Sequence, residues 1–322
     1  MWSSSSSPLR PVTGTGSRPE VAGALAAATG RVARAGVAHH IARVPTLPTF
    51  AATRYVQPLR EGGSLPAVVD TDAGGLFVVK FRGAGQGART LIAELIVGGL
   101  AARLGLPTPD PALIELSPRF GRSEPDPEIQ ELLRRSHGTN VGLRYLDGAF
   151  NYERAAAGDL VSPALAARIV WLDAFTTNPD RTHRNPNLMV WQRRPWLIDH
   201  GAALYAQHDW AAVDDARTRT PFPLIRSHLL LAGAGDLRAA DAESAGRLAG
   251  DAIREVVATV PGSLLLDESA GAREFATVGA ARDRYVTYLE TRLAAPRAFV
   301  DEAVAAQAQV RSEPALPLQA RR

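Results

Sequence analysis

The chain has 322 residues, of which 46% are hydrophobic and 21% are charged, a balance typical of a protein that folds around a core. It contains no cysteine, which excludes disulfides, thiolate metal sites and cysteine nucleophiles. The formal net charge is +3, but residues 1–45 carry +4 and the rest carries −1, so the basic charge does not mark a folded nucleic-acid-binding surface.

Residues 1–45 open with a serine run and continue with Gly, Pro, Ala and Arg, a composition that predicts a disordered basic extension. No apolar run reaches the length of a membrane span, and the N-terminus lacks the apolar core of a signal peptide. The sequence therefore predicts a cytoplasmic protein with no membrane partner.

Short apolar, β-branched runs predict strands in the first half of the chain, at Tyr55–Leu59, Ala67–Asp70, Leu76–Phe81, Ala112–Leu116 and Val141–Leu146. Helices are predicted over Thr90–Leu104 and within the acidic segment Ser123–Leu133. After residue 162 the chain is predicted to form a helix, two short strands and then mostly helix and loop to Val304; the first three are Pro163–Thr176, Leu188–Trp191 and Trp196–Ile198.

This order predicts an α+β protein, with a small β-rich lobe followed by a larger helical lobe. The predicted divisions are the basic extension at 1–45, the β-rich part at 46–148, the helical part at 149–305 and a C-terminal tail at 306–322.

Lys80 is the one lysine among 36 basic residues. If coding bias favours arginine, Lys80 could be a lysine that has not yet been replaced. Alternatively, the position could require a compact ammonium that arginine does not provide. It lies on the strand LFVVKF, and Glu94 follows fourteen residues later in the next predicted helix. Kinase-like enzymes hold nucleotide phosphates with such a strand lysine and helix glutamate, although an exposed surface lysine and glutamate would have the same spacing.

The run from Gly83 to Ala88 matches the G-x-G-x-x-A pattern that brings backbone N–H groups to a dinucleotide pyrophosphate. Such a fold also requires an acidic residue at the end of a second strand about 20 residues on. Asp110 has that separation, but it follows a helix directly. The run therefore favours a mobile loop, with an NAD site as the weaker alternative.

A third pattern combines the loop NPDRTHRNPNLMVW with the following strand WLIDHG. Asp180 and Asn185 have the D-x-x-x-x-N spacing, and the short hairpin between the two strands is expected to bring Asp199 beside them. Phosphoryl transfer requires an aspartate that accepts the proton of the attacking hydroxyl, and an Asn and a second Asp that hold Mg²⁺.

Together the segments VVKFRGAGQG, AELIVGGLAARLGLPTP, NPDRTHRNPNLMVW and WLIDHGAAL make the chain resemble the HipA-like kinases over roughly residues 50–265. The resemblance implies a two-lobed protein-kinase-like fold that transfers the ATP γ-phosphate to a Ser or Thr of a protein. It implies ATP and Mg²⁺ as cofactors and a protein as substrate, with an antitoxin-like regulator as a candidate partner. The charge distribution, with its basic excess in residues 1–45, predicts no DNA binding by the folded domain.

By the same resemblance Lys80 binds phosphates, Glu94 orients it, and Asp180 is the catalytic base. Asp199 holds magnesium together with either Asn185, which has the expected spacing, or Asn187, which precedes the expected strand. The nucleotide-binding positions implied elsewhere are Gly62, Gly63 and Ser64 in a phosphate loop and Tyr145, Leu146 and Asp147 at an adenine hinge.

The sequence departs from the protein-kinase pattern in lacking His-Arg before Asp180 and in having Asp-His-Gly at 199–201. These departures keep one alternative open, a nucleotide-binding pseudokinase that acts as a regulatory module. A kinase of a sugar, antibiotic or lipid headgroup is a second alternative, because the same set of Asp, Asn and Asp serves those enzymes.

Overall fold

A computed structural model describes residues 46–59, 65–73, 75–85, 87–153, 157, 160–268 and 274–313. The predicted basic extension, the predicted phosphate-loop residues Gly62, Gly63 and Ser64, and residues 314–322 of the predicted tail lie outside these ranges. All described residues belong to one unit of the chain.

Five strands form a closed barrel in the order β1-β2-β3-β5-β4. They are β1 (Thr49–Pro58), β2 (Ala67–Thr71), β3 (Leu76–Lys80), β4 (Pro111–Leu116) and β5 (Gly138–Arg144). Neighbouring strands are antiparallel, except that β4 pairs with β1 in parallel and so closes the barrel. Alternate residues such as Val69, Phe77 and Ile114 are buried and form the core of the barrel, as expected for strands with a side-chain period of two.

The helix α1 (Ala88–Arg103) connects β3 to β4 and packs into the larger core that the helical half of the chain forms. It is apolar nearly all round, because other elements cover more than one of its faces. A second helix, α2 (Pro127–Arg135), lies between β4 and β5 and begins at Asp126, whose carboxylate caps the N–H groups of Glu128 and Ile129.

The rest of the chain contains a three-stranded sheet and most of the helices. The sheet has the order β6-β7-β8 and consists of β6 (Phe150–Asn151), β7 (Leu188–Trp191) and β8 (Arg194–Leu197). The α-helices whose bounds the described residues give are α3 (Pro163–Phe175), α4 (Asp215–Thr218), α5 (Leu237–Arg247), α6 (Ala252–Ala258), α7 (Gly262–Leu265), α8 (Val278–Leu293) and α9 (Ala298–Ser312). The structure is thus a mixed arrangement of strands and helices, as predicted.

The helix α9 crosses the predicted start of the C-terminal tail at residue 306, so that boundary lies too early. Ala306 and Gln307 are buried, and the Gln307 amide donates hydrogen bonds to the carbonyls of Leu231 and Ala234. These contacts hold the last turns of the helix against the body of the protein. Among the described residues, no helix is both long and apolar enough to span a membrane.

The glycine run 83–88 follows β3, which has antiparallel neighbours on both sides. Its first N–H, that of Gly83, donates to Ser136 Oγ at 3.1 Å, at the end of α2. A dinucleotide site requires parallel strands and free N–H groups in this turn. The NAD alternative is therefore not supported, and the run instead serves as a packing contact.

We expect Gly83→Ala to lower the free energy of unfolding by about 1–3 kcal/mol, because the added Cβ is crowded on several sides. That Cβ would lie 2.7 Å from Arg135 Cβ and 2.9 Å from the Arg135 carbonyl carbon, which is backbone. Gly246→Ala on α5 is the matched control, since its Cβ meets nothing within 4 Å and alanine favours a helix by up to about 1 kcal/mol. Urea unfolding measures the free energy of unfolding of both variants. Equal effects of Gly83→Ala and Gly246→Ala would contradict the packing role of Gly83.

Candidate active site

Lys80 lies at the end of β3, where its ammonium contacts two carboxylates. Its Nζ is 2.7 Å from Glu94 Oε2 on α1 and 2.5 Å from Asp199 Oδ1 in the segment after β8. The side chains of Lys80 and Glu94 are 7% and 1% exposed. The predicted pairing of the strand lysine with the helix glutamate is therefore present in the fold, and Asp199 joins it from 119 residues away.

Electrostatics keep this group charged. Burial by itself lowers the pKa of Lys80, but the negative charges of Glu94 and Asp199 outweigh it, so the pKa stays above its ordinary value. Burial by itself raises the pKa of Asp199, and the Lys80 ammonium outweighs that effect and lowers it. At neutral pH the cluster holds one ammonium against two carboxylates, an excess of negative charge that suits a cation.

The segment Asp199–Gly201 is held close to α1. The His200 N–H donates to Glu94 Oε2 at 2.8 Å, so one glutamate oxygen binds both the lysine and this backbone. A Cβ on Gly201 would lie 2.4 Å from Thr90 Cγ2, which explains the glycine at this position. Asp199 itself has a φ of 54°, in the left-handed region that aspartate tolerates better than most residues.

The second group of predicted residues surrounds Asp180, in the loop between α3 and β7. Asp180 Oδ2 accepts hydrogen bonds from Asn185 Nδ2 at 2.7 Å and from Asn187 Nδ2 at 3.1 Å. Its own N–H donates to Asn178 Oδ1 at 3.1 Å. Both amides therefore turn their nitrogens to Asp180 and leave their oxygens available as ligands; Asn185 is exposed, whereas Asn187 is buried.

The structure brings the two groups together through a residue that the sequence prediction did not include. Arg181, next to Asp180, is fully buried and donates through Nη1 to the carbonyls of Asn187 and of Ile198, the residue before Asp199. Its guanidinium pairs with Asp173 on α3 at 2.6 Å. In the sequence, the only signal for Arg181 was its position next to Asp180. No sequence signal points to His228, which also contacts Asp173.

The predicted hinge residues lie between the barrel and the small sheet. The Tyr145 N–H donates to the carbonyl of Leu76 on β3, and the Asp147 carbonyl accepts from Trp191 Nε1 at 2.8 Å. Leu146 between them is buried. None of the hydrogen bonds that they make within the described ranges involves Lys80, Asp180 or Asp199, so their adenine role stays a prediction.

The oxygen donors fit a hard cation such as Mg²⁺, which prefers carboxylate, carbonyl and phosphate oxygens. Asp199 is of this type, and so are the amide oxygens of Asn185 and Asn187, which accept no hydrogen bond from the described residues. No three His, Cys, Asp or Glu side chains cluster as a metal site in the part of the chain that the structure describes. A magnesium ion here would therefore take its other ligands from nucleotide phosphates and water, as it does in kinases.

An ammonium paired with a buried glutamate, a loop aspartate, asparagine amides and a second aspartate are the parts of a phosphoryl-transfer site. Residues 53–215, just over half of the chain, match the HipA-like kinase family, and the chain belongs to that family. The resemblance predicted from the motifs is thereby confirmed. Kinases of this kind use ATP and usually a divalent metal.

Among solved structures, the crystal structure of a Helicobacter pylori proinflammatory kinase, CtkA, is similar to this chain with a TM-score of 0.48 and 12% sequence identity. The similarity covers 83% of this chain and 100% of that chain. The search of curated proteins found no match.

His200 occupies the middle of the Asp-His-Gly segment, and burial lowers its pKa to about 4. Because the unfolded chain binds a proton near pH 6.5 and the folded chain does not, the stability that His200 contributes falls as pH drops below about 6.5. We expect the unfolding free energy to fall by about 2 kcal/mol from this residue between pH 7.5 and 5.

His200→Phe should remove this part of the pH dependence, since phenylalanine does not titrate and fills a similar volume. It also removes His200 Nε2, a buried nitrogen that has no hydrogen-bond partner among the described residues. Urea unfolding at pH 7.5 and 5, without metal, measures the difference. Gly246→Ala, which changes no titratable group, is the control and should leave the slope unchanged; an unchanged slope in His200→Phe would contradict the assignment.

Proposed function

We propose that the chain is an ATP-dependent protein kinase with two lobes, which transfers the γ-phosphate of ATP to a Ser or Thr hydroxyl. In this proposal the barrel and α1 form the nucleotide-facing lobe, and the chain from about residue 149 forms the other. The observation that carries the proposal is the buried Lys80–Glu94 pair, with Asp199 on the same ammonium.

This pair has no evident structural reason to exist. Burying an ammonium and a carboxylate costs desolvation free energy that their attraction often fails to repay, and apolar residues of the same volume would stabilise a core as well or better. In a kinase the ammonium binds the α- and β-phosphates, and the glutamate holds it there. That use explains why the one lysine of the chain lies at this position.

In this proposal Asp180 is the base that accepts the hydroxyl proton, and its hydrogen bonds support that role. Its Oδ2 is held by the amides of Asn185 and Asn187, while its Oδ1 accepts no hydrogen bond from the described residues. The carboxylate is therefore fixed in orientation and keeps one oxygen for the acceptor hydroxyl. General-base assistance of this kind contributes about 10²- to 10⁴-fold to the rate.

Asp199, with Asn185 or Asn187, would hold the magnesium ion that accompanies ATP. When bound, the ion neutralises charge on the phosphates. Lys80 must then exchange its bond to Asp199 for bonds to phosphate oxygens, and the 37% exposure of the Asp199 side chain leaves room for that exchange. Glu94 stays on Lys80 throughout, because its carboxylate is buried on α1.

The acceptor class is tested with radiolabelled ATP, magnesium and a cell extract separated into protein and small-molecule fractions. Wild-type protein is expected to label protein on phosphoserine or phosphothreonine, identified after acid hydrolysis, and Asp180→Asn is expected to add no label to either fraction. Label confined to small molecules would overturn the protein substrate in favour of a metabolite kinase. ATP-induced thermal stabilisation without any turnover would favour the regulatory module.

A further inference from the structure

Arg181 contacts every segment that carries a candidate metal ligand, although it is itself shielded from solvent. Its Nε donates to Asp173 Oδ2 at 2.6 Å on α3. Its Nη1 donates to the carbonyl of Asn187 and, at 3.4 Å, to the carbonyl of Ile198. Its Nη2 faces His200 Nδ1 at 3.4 Å, so the guanidinium reaches the residues on both sides of Asp199.

Asp173 provides the negative charge that pairs with Arg181, and it also binds a second residue of the loop between α3 and β7. Asn178 Nδ2 donates to Asp173 Oδ1 at 2.9 Å, and the Oδ1 of the same asparagine accepts the Asp180 N–H. Burial by itself raises the pKa of Asp173, but Arg181 and His228 outweigh it and hold the pKa well below its usual range. One buried carboxylate thus holds both Asp180, through Asn178, and Arg181.

His228 approaches Asp173 from a later part of the chain, before α5. The Leu230 N–H donates to His228 Nδ1 at 3.0 Å, so in the neutral ring the proton lies on Nε2, which donates to Asp173 Oδ2 at 2.9 Å. Burial lowers the pKa of His228, in agreement with the neutral form. The Leu229 N–H donates to the Arg181 carbonyl at 3.0 Å, which fixes the backbone of the loop as well.

We infer that Asp173, Arg181 and His228 form a positioning cluster that sets the separation between the Asn187 and Asp199 segments and thereby the affinity of the site for its metal ion. The inference rests on the proposed function. All three side chains are at most 2% exposed, so they act through the residues they hold and not by contact with nucleotide or substrate. Substitution of residues that hold metal ligands in position typically lowers metal affinity or activity by about 10- to 100-fold.

The test is Arg181→Lys in the full chain. Lysine keeps the charge opposite Asp173, but one ammonium cannot reach the carbonyls of Asn187 and Ile198 together. We expect the half-saturating concentration of Mn²⁺, measured by electron paramagnetic resonance with a non-hydrolysable ATP analogue, to rise about 10- to 100-fold. The half-saturating Mg²⁺ for turnover should rise in parallel.

A merely structural role predicts a different result, because loss of folded protein lowers the number of sites and leaves their affinity unchanged. Arg284→Lys is the matched control: Arg284 also binds two backbone carbonyls, those of Trp210 and Val213, and within the described ranges it makes no hydrogen bond to a candidate-site residue. It should leave the half-saturating Mn²⁺ at the wild-type value. Folded Arg181→Lys protein with wild-type Mn²⁺ affinity would overturn the inference.

His228 supplies a second test if Arg181→Lys does not fold. We expect His228→Ala to raise the half-saturating Mn²⁺ about 10-fold, and His228→Gln to recover part of that loss, because its amide can still donate to Asp173. Wild-type affinity in His228→Ala would overturn the inference. Wild-type protein that binds no Mn²⁺ with the analogue would instead overturn the proposed function, and the inference with it.

Discussion

Replacing Asp180 by asparagine is expected to lower kcat for phosphoryl transfer by about 10²- to 10⁴-fold and to leave the fold intact. The asparagine oxygen can still accept the hydrogen bonds that Asp180 Oδ2 takes from Asn185 and Asn187, so the loop keeps its contacts. What is lost is the carboxylate that accepts the hydroxyl proton. Turnover of labelled ATP on the protein fraction measures the effect.

Two controls make this result specific. Mg-ATP should still raise the melting temperature of Asp180→Asn, since Lys80 and Asp199 are unchanged. Asp215→Asn on α4, an exposed aspartate whose partner is Arg219, makes the same chemical change away from the site and should keep wild-type kcat. Normal turnover by Asp180→Asn would remove Asp180 from the role of base.

Lys80→Arg is expected to lower kcat/KM for ATP by about 10²- to 10³-fold with little loss of stability. Glu94 Oε1 is buried and has no hydrogen-bond partner among the described residues. A guanidinium can bind both oxygens of Glu94 in the bidentate manner, which keeps the buried charge paired. The longer, planar group would then be held on Glu94 and displaced from the position at which an ammonium meets the phosphates.

Lys80→Met provides the contrast, because it removes the cation and leaves Glu94 buried without its partner. Such a change typically costs about 3–5 kcal/mol, so the methionine variant should unfold at lower urea concentration than the arginine variant, although both lose most of their activity. Arg134→Lys, in an exposed ion pair with Glu131 on α2, is a surface control that should alter neither property. Wild-type ATP use by Lys80→Arg would make the lone lysine a remnant of coding bias.

The elements with the strongest local patterns were predicted within a few residues. The strand at β7 has the predicted bounds, and α1 was predicted two residues late at its start and one residue late at its end. In contrast, β1 begins at Thr49, six residues before the prediction. None of its side chains is fully buried, so it lacks the apolar alternation from which a strand is recognised.

In the candidate site, too, the features within a short stretch of sequence were predicted and the others were not. The Lys80–Glu94 pair joins one strand to the next helix, and its short spacing predicted it. Spacing also predicted that Asp180 and Asn185 share a loop, whereas the hydrogen bonds from Asn185 and Asn187 to Asp180 are known only from the structure. The choice between the two asparagines was not resolved by spacing, and in the structure both bind the same oxygen. The glycine-loop residues 62–64 lie outside the described residues and remain a prediction.

The sequence by itself determined the family of the protein and the residue types of its site, because those are carried by short motifs whose chemistry is local. Only the tertiary structure decided that Asp199 reaches Lys80, that β4 closes the barrel on β1, and that His228 supports Asp173. Each of these contacts joins residues more than 50 positions apart, where the path of the chain through the core decides which groups meet. No periodicity or spacing in the sequence records that path.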